Sequence, residues 1–245
     1  MRTEEFIEKV SQALKDDARV EELKRGLPLG EDMGGNIVLA QKRVKPIIVR
    51  NTCVTGAGKT NFIRRLLLTL SFLFAEDEAC FFVLSPHTEY GELLRLGGGN
   101  FVVPYIRNKD DLALATAGLK ELLTIQQNNA GRPHIILVLD GLDVLPDCNA
   151  NGDLGEYSSL FELFMRNPDV DVICGVDLAK SIFAGFPGSF LGMGNCLVTT
   201  RESGKADVTY VGDDSSLSLP MPIVYPSEPT VMESLIFLNA LPSNE

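Results

Sequence analysis

Short continuous apolar runs alternate along the chain with segments whose apolar residues recur at helical spacing. A continuous apolar run is typical of a strand that is covered on both faces, as in a parallel sheet. The runs predict strands at residues 46–49, 80–84, 101–103, 134–140 and 171–174. Helices are predicted from residue 61 onward, over 108–122 and over 156–166. This alternation predicts an α/β fold with a mainly parallel sheet flanked by helices.

The two ends of the chain show other patterns. Residues 4–25 carry the apolar stripe of an amphipathic helix, and residues 36–40 indicate a short strand. Near the C-terminus, the apolar runs 195–200 and 206–211 flank a polar turn, which predicts an antiparallel hairpin at the C-terminal edge of the sheet. Prolines then indicate an extended segment before a short helix at 231–238.

A glycine-containing segment lies where a predicted strand passes into a predicted helix. It reads Cys53-Val54-Thr55-Gly56-Ala57-Gly58-Lys59-Thr60. In such a loop the glycines let backbone N–H groups converge on an anion, the lysine reaches the outer phosphates, and the threonine offers a hydroxyl to Mg²⁺. The segment predicts a nucleotide phosphate site made by Thr55, Gly56, Ala57, Gly58, Lys59 and Thr60. The alternative is a glycine turn that only resembles a phosphate loop.

An aspartate ends the third long apolar run. P-loop proteins use an aspartate at this place to hold the water shell of Mg²⁺, so Thr60 and Asp140 are the predicted metal residues. The alternative is that Asp140 caps the next turn. ATPases of this type have a glutamate next, which orients the attacking water, and Gly141 has no side chain for that task. Asp143 is the nearest catalytic substitute, with an ordinary loop aspartate as the alternative.

Composition limits the class of protein. The chain has 245 residues, of which 45% are apolar, and this is ample for a sizeable core. The longest apolar stretch, residues 66–75, is too short to span a bilayer, and no signal peptide precedes the charged start. The five cysteines form no C-x-x-C pair, which indicates reduced thiols. We expect a soluble, cytoplasmic protein with no membrane segment within this chain.

The charge is unevenly distributed. The net charge is −11, and the whole excess lies from residue 47 onward, with thirteen basic against twenty-four acidic residues. A domain that holds DNA through its phosphates normally carries a basic surface. Charge therefore does not support DNA as a partner.

Several motifs match one known family. Residues 27–36 are similar to its lead-in to the phosphate loop, residues 55–60 match the loop, Ser85-Pro86-His87 stands where the family has Asp-Pro-Lys, and Asp140 falls on its second nucleotide motif. The most specific match is Leu-Gly-Met-Gly-Asn-Cys-Leu at 191–197, beside the family's Leu-Gly-Met-Gly-Asp-Met-Leu. On these residues the chain resembles the motor domain of the FtsK/SpoIIIE DNA translocases and the related EssC/EccC secretion ATPases.

The resemblance carries expectations about architecture and ligands. It implies a RecA-like P-loop NTPase fold that binds ATP and Mg²⁺. It divides the chain into an N-terminal helix at 1–26, an FtsK-like ATPase domain at 27–212, and a proline-rich extension with a short helix at 213–245. It also implies partners: further copies of the chain, other ATPase domains, or a protein that is secreted.

The departures from the family pattern lie at catalytic positions. Cys53 replaces the first loop glycine, Gly141 replaces the glutamate, and Gly175-Val176 stands where the family has a Thr-Gln sensor pair. The segment 177–185 is also shorter than the family's, which has an arginine there that reaches a neighbouring subunit. The resemblance therefore implies weak hydrolysis or none, and a regulatory or assembly role in a translocase or secretion ATPase.

Two other functions stay open at this point. One is an active, DNA-stimulated ring motor, for which Lys42, Arg43 and Lys45 supply too little basic charge. The other is a nucleotide-free scaffold with the proline-rich tail as its contact surface. A redox role for the Cys53 thiol is a further alternative to a small residue tolerated in the loop. His87 and His134 are expected to serve in a turn and at a strand start.

Overall fold

The fold comes from a computed structural model of the chain. It describes residues 12, 15–40, 46–51, 58–75, 77–96, 100–127, 133–142, 167, 170–176, 196–201, 204–212 and 216–225. Predictions at Cys53, at 55–57, at Asp143 and for the helices at 156–166 and 231–238 lie outside the described residues.

The described elements alternate between strands and helices over most of the chain. The helices are α1 (Asp17–Gly26), α2 (Lys59–Leu73), α3 (Leu93–Leu96) and α4 (Lys109–Gln127), with a 3₁₀ turn at Thr88–Glu92 before α3. The strands are β1 (Pro28–Glu31), β2 (Ile37–Leu39), β3 (Ile47–Asn51), β4 (Ala79–Leu84), β5 (Phe101–Val102), β6 (His134–Asp140), β7 (Val170–Val176), β8 (Cys196–Arg201), β9 (Lys205–Tyr210) and β10 (Met221–Val224). Within these ranges, no helix is at once long enough and apolar enough to cross a membrane.

The described strands form one sheet in the order β2-β1-β10-β9-β8-β3-β7-β6-β4-β5. The six strands from β8 to β5 run parallel, and β9, β10, β1 and β2 add antiparallel pairs on one side. The predicted α/β class with a mainly parallel sheet is therefore confirmed.

The predicted hairpin is present, but its place in the sheet differs from the prediction. Strands β8 and β9 pair antiparallel, with Cys196 opposite Tyr210. The sheet continues past β9, because β10 pairs with it and β1 pairs with β10. The hairpin thus lies inside the sheet and not at its edge. The extended segment that the prolines indicated supplies β10, whose backbone groups cover the outer side of β9.

The helix predicted near the N-terminus is interrupted at Asp16. Asp16 is extended, with φ −118° and ψ 99°, and its side chain accepts from the backbone N–H groups of Ala18 and Arg19. A short carboxylate bonded to the first turn is the usual N-cap, so a helix begins at Asp17. The predicted single helix over 4–25 is wrong at Asp16, because the stripe of apolar residues does not show where the backbone leaves helical geometry.

The sheet is buried on both faces. Ile136 and Val138 of β6 face one apolar cluster with Phe62, Ile63 and Leu67 of α2. The alternate residues of β6 face a second cluster on the other side, which contains Leu112 and Leu119 of α4. Side chains of a strand alternate between faces, so consecutive residues of a strand that is covered on both sides are apolar. This explains the continuous apolar runs.

Candidate functional site

Helix α2 begins at a left-handed glycine. Gly58 is the N-cap, with φ +81°, and its carbonyl oxygen accepts from the N–H of Phe62 at 2.8 Å. A residue with a β-carbon is strained in this conformation, which explains the glycine. Of the residues predicted for phosphate binding, Gly58, Lys59 and Thr60 are described. Thr55, Gly56 and Ala57 lie outside the described residues.

Asp140 ends strand β6 and is fully buried, with 0% of its surface exposed. The strand order places β6 two positions from β3, with only β7 between them. Both strands run in the same direction, so their carboxyl ends lie on one side of the sheet. In open α/β sheets, ligands bind outside these carboxyl ends.

The start of α2 meets Asp140 at this side. The hydroxyl of Thr60 donates to Oδ2 of Asp140 at 2.9 Å, and Nζ of Lys59 lies 3.7 Å from Oδ1. The structure thus brings together the predicted phosphate lysine and both predicted metal residues, which are 80 positions apart in the chain.

A buried tyrosine that sequence reasoning missed is the second donor to Oδ2 of Asp140. The hydroxyl of Tyr90, in the 3₁₀ turn, donates to Oδ2 at 2.9 Å. Burial, followed by the charge of Asp140, raises the pKa of Tyr90 well above 10.0. The phenol therefore stays protonated and keeps donating at neutral pH. Nothing in the local sequence pattern marks Tyr90, because its partner lies 50 residues away.

His87 also faces Asp140. Its backbone N–H donates to the hydroxyl of Ser85 at 3.1 Å, which agrees with the predicted turn. Its Nε2 lies 4.0 Å from Oδ2 of Asp140, and the side chain is 33% exposed. The imidazole therefore stands at the rim of the site, with one side toward solvent.

Both the backbone conformation and the contact with His87 favour glycine at position 141. Gly141 has φ +68°, and a β-carbon there would lie 2.3 Å from Nε2 of His87. Non-bonded carbon and nitrogen atoms do not approach this closely, so a side chain at 141 and the observed imidazole exclude each other. In its observed position, the imidazole of His87 thus occupies the space that a side chain at 141 would need.

The carboxylate of Asp140 leaves no room for a side chain at position 175. Gly175 lies beside Asp140 in the β6–β7 register, and a β-carbon there would lie 1.9 Å from Oδ1 of Asp140. It would also lie 2.9 Å from Cδ1 of Ile63 on α2. Asp140 therefore fills the space that a side chain at 175 would need.

The first residue after β10 packs beside the start of α2. Tyr225 lies edge-on to Phe62, with ring centroids 5.0 Å apart, and the guanidinium of Arg65 lies 3.3 Å from the centroid of its ring. Its hydroxyl would be 3.5 Å from a β-carbon at Gly58. The proline-rich segment therefore enters the sheet next to the start of α2.

The donor set fits a magnesium ion that is shared with phosphates. Oδ1 of Asp140 is buried and has no hydrogen-bond partner among the described residues. Thr60 donates its proton to Oδ2, which leaves the lone pairs of its hydroxyl oxygen for a cation. Across the described ranges, no group of three histidine, cysteine or acidic residues could hold a metal. Magnesium is commonly bound by one or two carboxylates together with substrate phosphates, which this arrangement allows.

Helix α2 starts at a left-handed glycine, and its first lysine and threonine reach a buried aspartate at the end of a parallel strand. This arrangement is typical of the P-loop class of folds. No protein-family model matches the sequence. No curated protein matches it either.

Solved structures share the fold. EssC (ATPases 2 and 3) from Geobacillus thermodenitrificans superimposes with TM-score 0.58 at 15% identity, over 83% of this chain and 41% of that one. Thermomonospora curvata EccC (ATPases 2 and 3), in complex with a signal sequence peptide, gives TM-score 0.58 at 11% identity, over 85% of this chain and 42% of that one. The monomer form of the pCW3 conjugation coupling protein TcpA with ATPγS gives TM-score 0.55 at 14% identity, over 91% and 73%.

These likenesses establish the architecture. The chain has the P-loop ATPase fold seen in the type VII secretion ATPases and in a conjugation coupling protein, and the resemblance inferred from the sequence is confirmed at the level of the fold. The chain spans less than half the length of the EssC and EccC chains it matches.

Proposed function

We propose that the chain is an ATP–Mg²⁺-binding P-loop domain with weak or no hydrolysis, which serves as a regulatory or assembly module of a translocase or secretion ATPase. The observation that carries the proposal is the contact of Lys59 and Thr60 with the buried Asp140. Three groups of this kind on the carboxyl side of a parallel sheet are what nucleotide phosphates and their magnesium require.

Nucleotide binding is assigned to the start of α2 and the loop before it. Lys59 and the amides of residues 55–60 would hold the phosphates, while Thr60 and Asp140 would hold magnesium, Asp140 partly through water. The bound metal would supply charge neutralisation of the phosphates. The TcpA structure was determined with ATPγS, which supports a nucleotide ligand for this fold.

Impaired hydrolysis is inferred from Gly141. A glycine with φ +68° has no side chain to orient water, and His87 occupies the space that one would need. Asp143 as a substitute stays a prediction. The space at Gly175, where the family pattern has a sensor side chain, is taken by Asp140. These features support a domain that holds nucleotide more effectively than it turns it over.

The biological role is inferred from the neighbours. Two of the matched structures contain more than one ATPase domain, and the EccC structure contains a signal sequence peptide. We therefore propose protein partners for this chain: other ATPase domains, further copies of itself, or a secreted protein. The net charge of −11 does not favour DNA. We further propose a cytoplasmic location and the division into residues 1–26, 27–212 and 213–245.

Calorimetric titration with ATP in the presence of Mg²⁺ tests nucleotide binding. Lys59→Ala removes the phosphate lysine and is expected to weaken binding at least about tenfold, as loss of a hydrogen bond to a charged group does. Lys120→Ala, at an exposed position of α4, is the matched control and should bind as the wild type does. Equal affinity of Lys59→Ala and wild type would refute the proposed site.

Steady-state ATP turnover tests the second half of the proposal. We expect turnover far below the roughly 1–10³ s⁻¹ typical of enzymes, with no stimulation by DNA. Rapid turnover that DNA accelerates, together with salt-dependent DNA binding and rings in the presence of ATP, would instead identify an active motor. A wild-type protein that binds no nucleotide at millimolar ATP would indicate the scaffold.

A further inference from the structure

We infer that His87 contacts the outermost phosphate of a bound nucleoside triphosphate and so distinguishes triphosphate from diphosphate. This inference rests on the proposed nucleotide site and assigns to it a residue whose sequence pattern indicated only a turn. Three features of the structure support it: the place of His87 in the sheet, the position of its ring nitrogen, and the space around that nitrogen.

The place of His87 follows from the sheet order. Strand β4 lies beside β6, with Leu84 opposite Leu139 at their carboxyl ends. His87 comes three residues after Leu84, and Asp140 directly follows Leu139. The bond from the His87 N–H to the Ser85 hydroxyl fixes the backbone of this turn. The histidine is therefore held on the side of the sheet where Lys59 and Thr60 reach Asp140.

The ring nitrogen lies where a terminal phosphate is expected. Nε2 of His87 is 4.0 Å from one oxygen of Asp140, and Nζ of Lys59 is 3.7 Å from the other. The lysine of a phosphate loop reaches the outermost phosphates of the nucleotide. Two nitrogens that flank one carboxylate this closely can reach oxygens of a single phosphate group.

The nitrogen is available to a ligand. A separation of 4.0 Å from Oδ2 is beyond hydrogen-bond distance, and that oxygen already accepts from Thr60 and Tyr90. The turn uses the backbone of His87, so it leaves the imidazole free for another role. With 33% of its surface exposed, the side chain borders the opening of the site.

Gly141 keeps this space open. The lack of a β-carbon at position 141 lets the imidazole stand beside Asp140, since that atom would lie only 2.3 Å from Nε2. Glycine at 141 and histidine at 87 are therefore two parts of one arrangement. Because glycine at 141 has no side chain, the imidazole of His87 can lie beside Asp140, close to the proposed phosphate site.

The test compares binding of a non-hydrolysable triphosphate analogue, AMP-PNP, with binding of ADP, both with Mg²⁺, by calorimetry. His87→Ala should weaken AMP-PNP binding about tenfold, the effect of losing a hydrogen bond to a charged group, and leave ADP binding unchanged. His87→Gln, which keeps a donor, should lose less. His134→Gln is the matched control, because His134 lies at the opposite end of β6 and bonds to Asp171.

The outcomes separate this inference from the proposed function. A wild type that binds neither nucleotide refutes both. A wild type that binds both, with His87→Ala and His87→Gln showing the wild-type ratio of AMP-PNP to ADP affinity, refutes the role of His87 and leaves the nucleotide site standing. Selective loss of AMP-PNP binding in His87→Ala supports the inference. Circular dichroism of each variant verifies that it is folded.

Discussion

The imidazole of His87 occupies the space that a side chain at Gly141 would need, since a β-carbon at 141 would lie 2.3 Å from Nε2. The two residues are 54 positions apart and meet because β4 and β6 are neighbours in the sheet. The lack of a side chain at 141 is thus linked to His87, and the effects of mutations at the two positions are expected to depend on each other.

Gly141→Ala should destabilise the fold, and part of this loss should depend on His87. Alanine at φ +68° is strained by about 1–3 kcal/mol before any contact with the imidazole is counted. In a His87→Ala background there is no imidazole for the new β-carbon to contact. Gly141→Ala should therefore lower the free energy of unfolding by less in that background than in the wild type. Urea unfolding of the two single variants and the double variant measures the coupling, which we expect to be about 0.5–3 kcal/mol.

Gly118→Ala is the control for that cycle. It lies in α4, where an added β-carbon meets nothing within 4 Å. Helix propensity predicts a gain of up to about 1 kcal/mol, with no dependence on His87. Strict additivity of Gly141→Ala and His87→Ala would contradict the steric link.

Tyr90→Phe should destabilise the protein without removing a charge. The change takes one of two donors from Oδ2 of the buried Asp140, and leaving a buried acceptor short of a bond costs about 1–3 kcal/mol. Urea unfolding at neutral pH measures the loss. Tyr105→Phe, at an exposed tyrosine, should have no effect of this size.

The same tyrosine predicts a dependence on alkaline pH. The folded pKa of Tyr90 is raised well above 10.0, first by burial and then by Asp140, whereas the unfolded phenol titrates near 10. The stabilisation is therefore complete below pH 10 and is lost as the pH rises toward the folded value. Absorbance of tyrosinate at increasing pH should show this phenol ionising only with unfolding. A tyrosinate signal that is larger in folded wild type than in folded Tyr90→Phe would argue against it.

Asp140→Asn should remove the effect of magnesium on nucleotide binding. The amide keeps the size of the carboxylate but lacks the charge that a divalent cation requires. In the wild type, ATP affinity should fall when Mg²⁺ is replaced by EDTA, and in Asp140→Asn the two affinities should be nearly equal. Asp110→Asn, at an exposed position of α4, should keep the wild-type dependence. An unchanged magnesium effect in Asp140→Asn would exclude this carboxylate as the metal residue.

Acid should weaken the attachment of α1 to the rest of the fold. Lys24 of α1 donates to both oxygens of Glu78 at 2.8 Å, and this bond, followed by the N–H of Ala75, lowers the pKa of Glu78. A lowered folded pKa gives stability that is present above the unfolded value of about 4.5 and is lost as the pH falls through the folded one. The Glu78 side chain is 44% exposed, so solvent screens the pair and its contribution is about 0.2–1 kcal/mol.

Glu78→Gln measures this contribution. Its stability relative to wild type, from urea unfolding, should be lower at pH 7 and should approach wild type near pH 3. Glu121→Gln, at an exposed position of α4, supplies the control for removing a charge. If the stability difference between Glu78→Gln and wild type is the same at pH 3 as at pH 7, the loss of stability comes from packing and not from the charge of Glu78.

The sequence by itself determined the class of fold and the centre of the site. Continuous apolar runs predict strands buried on both faces, and this is what β4, β6 and β7 proved to be. The strand before Gly58 and the helix after it predict the phosphate loop, and the end of the third long run predicts Asp140 as a metal residue. Both stay predictions, and the structure places Lys59 and Thr60 beside Asp140. These features are local, because they depend on periodicity and on residues adjacent in the chain.

The tertiary structure decided which residues surround Asp140. The turn after β4 places His87 and Tyr90 beside it, and β7 places Gly175 there. These positions follow from strand order and register. The place of the hairpin inside the sheet likewise depended on β10 pairing with β9. Local periodicity states which face of a strand is buried but not which strand lies beside it. For that reason the place of Asp140 at the end of a buried strand was predictable, while the packing around Gly141 and Gly175 was not.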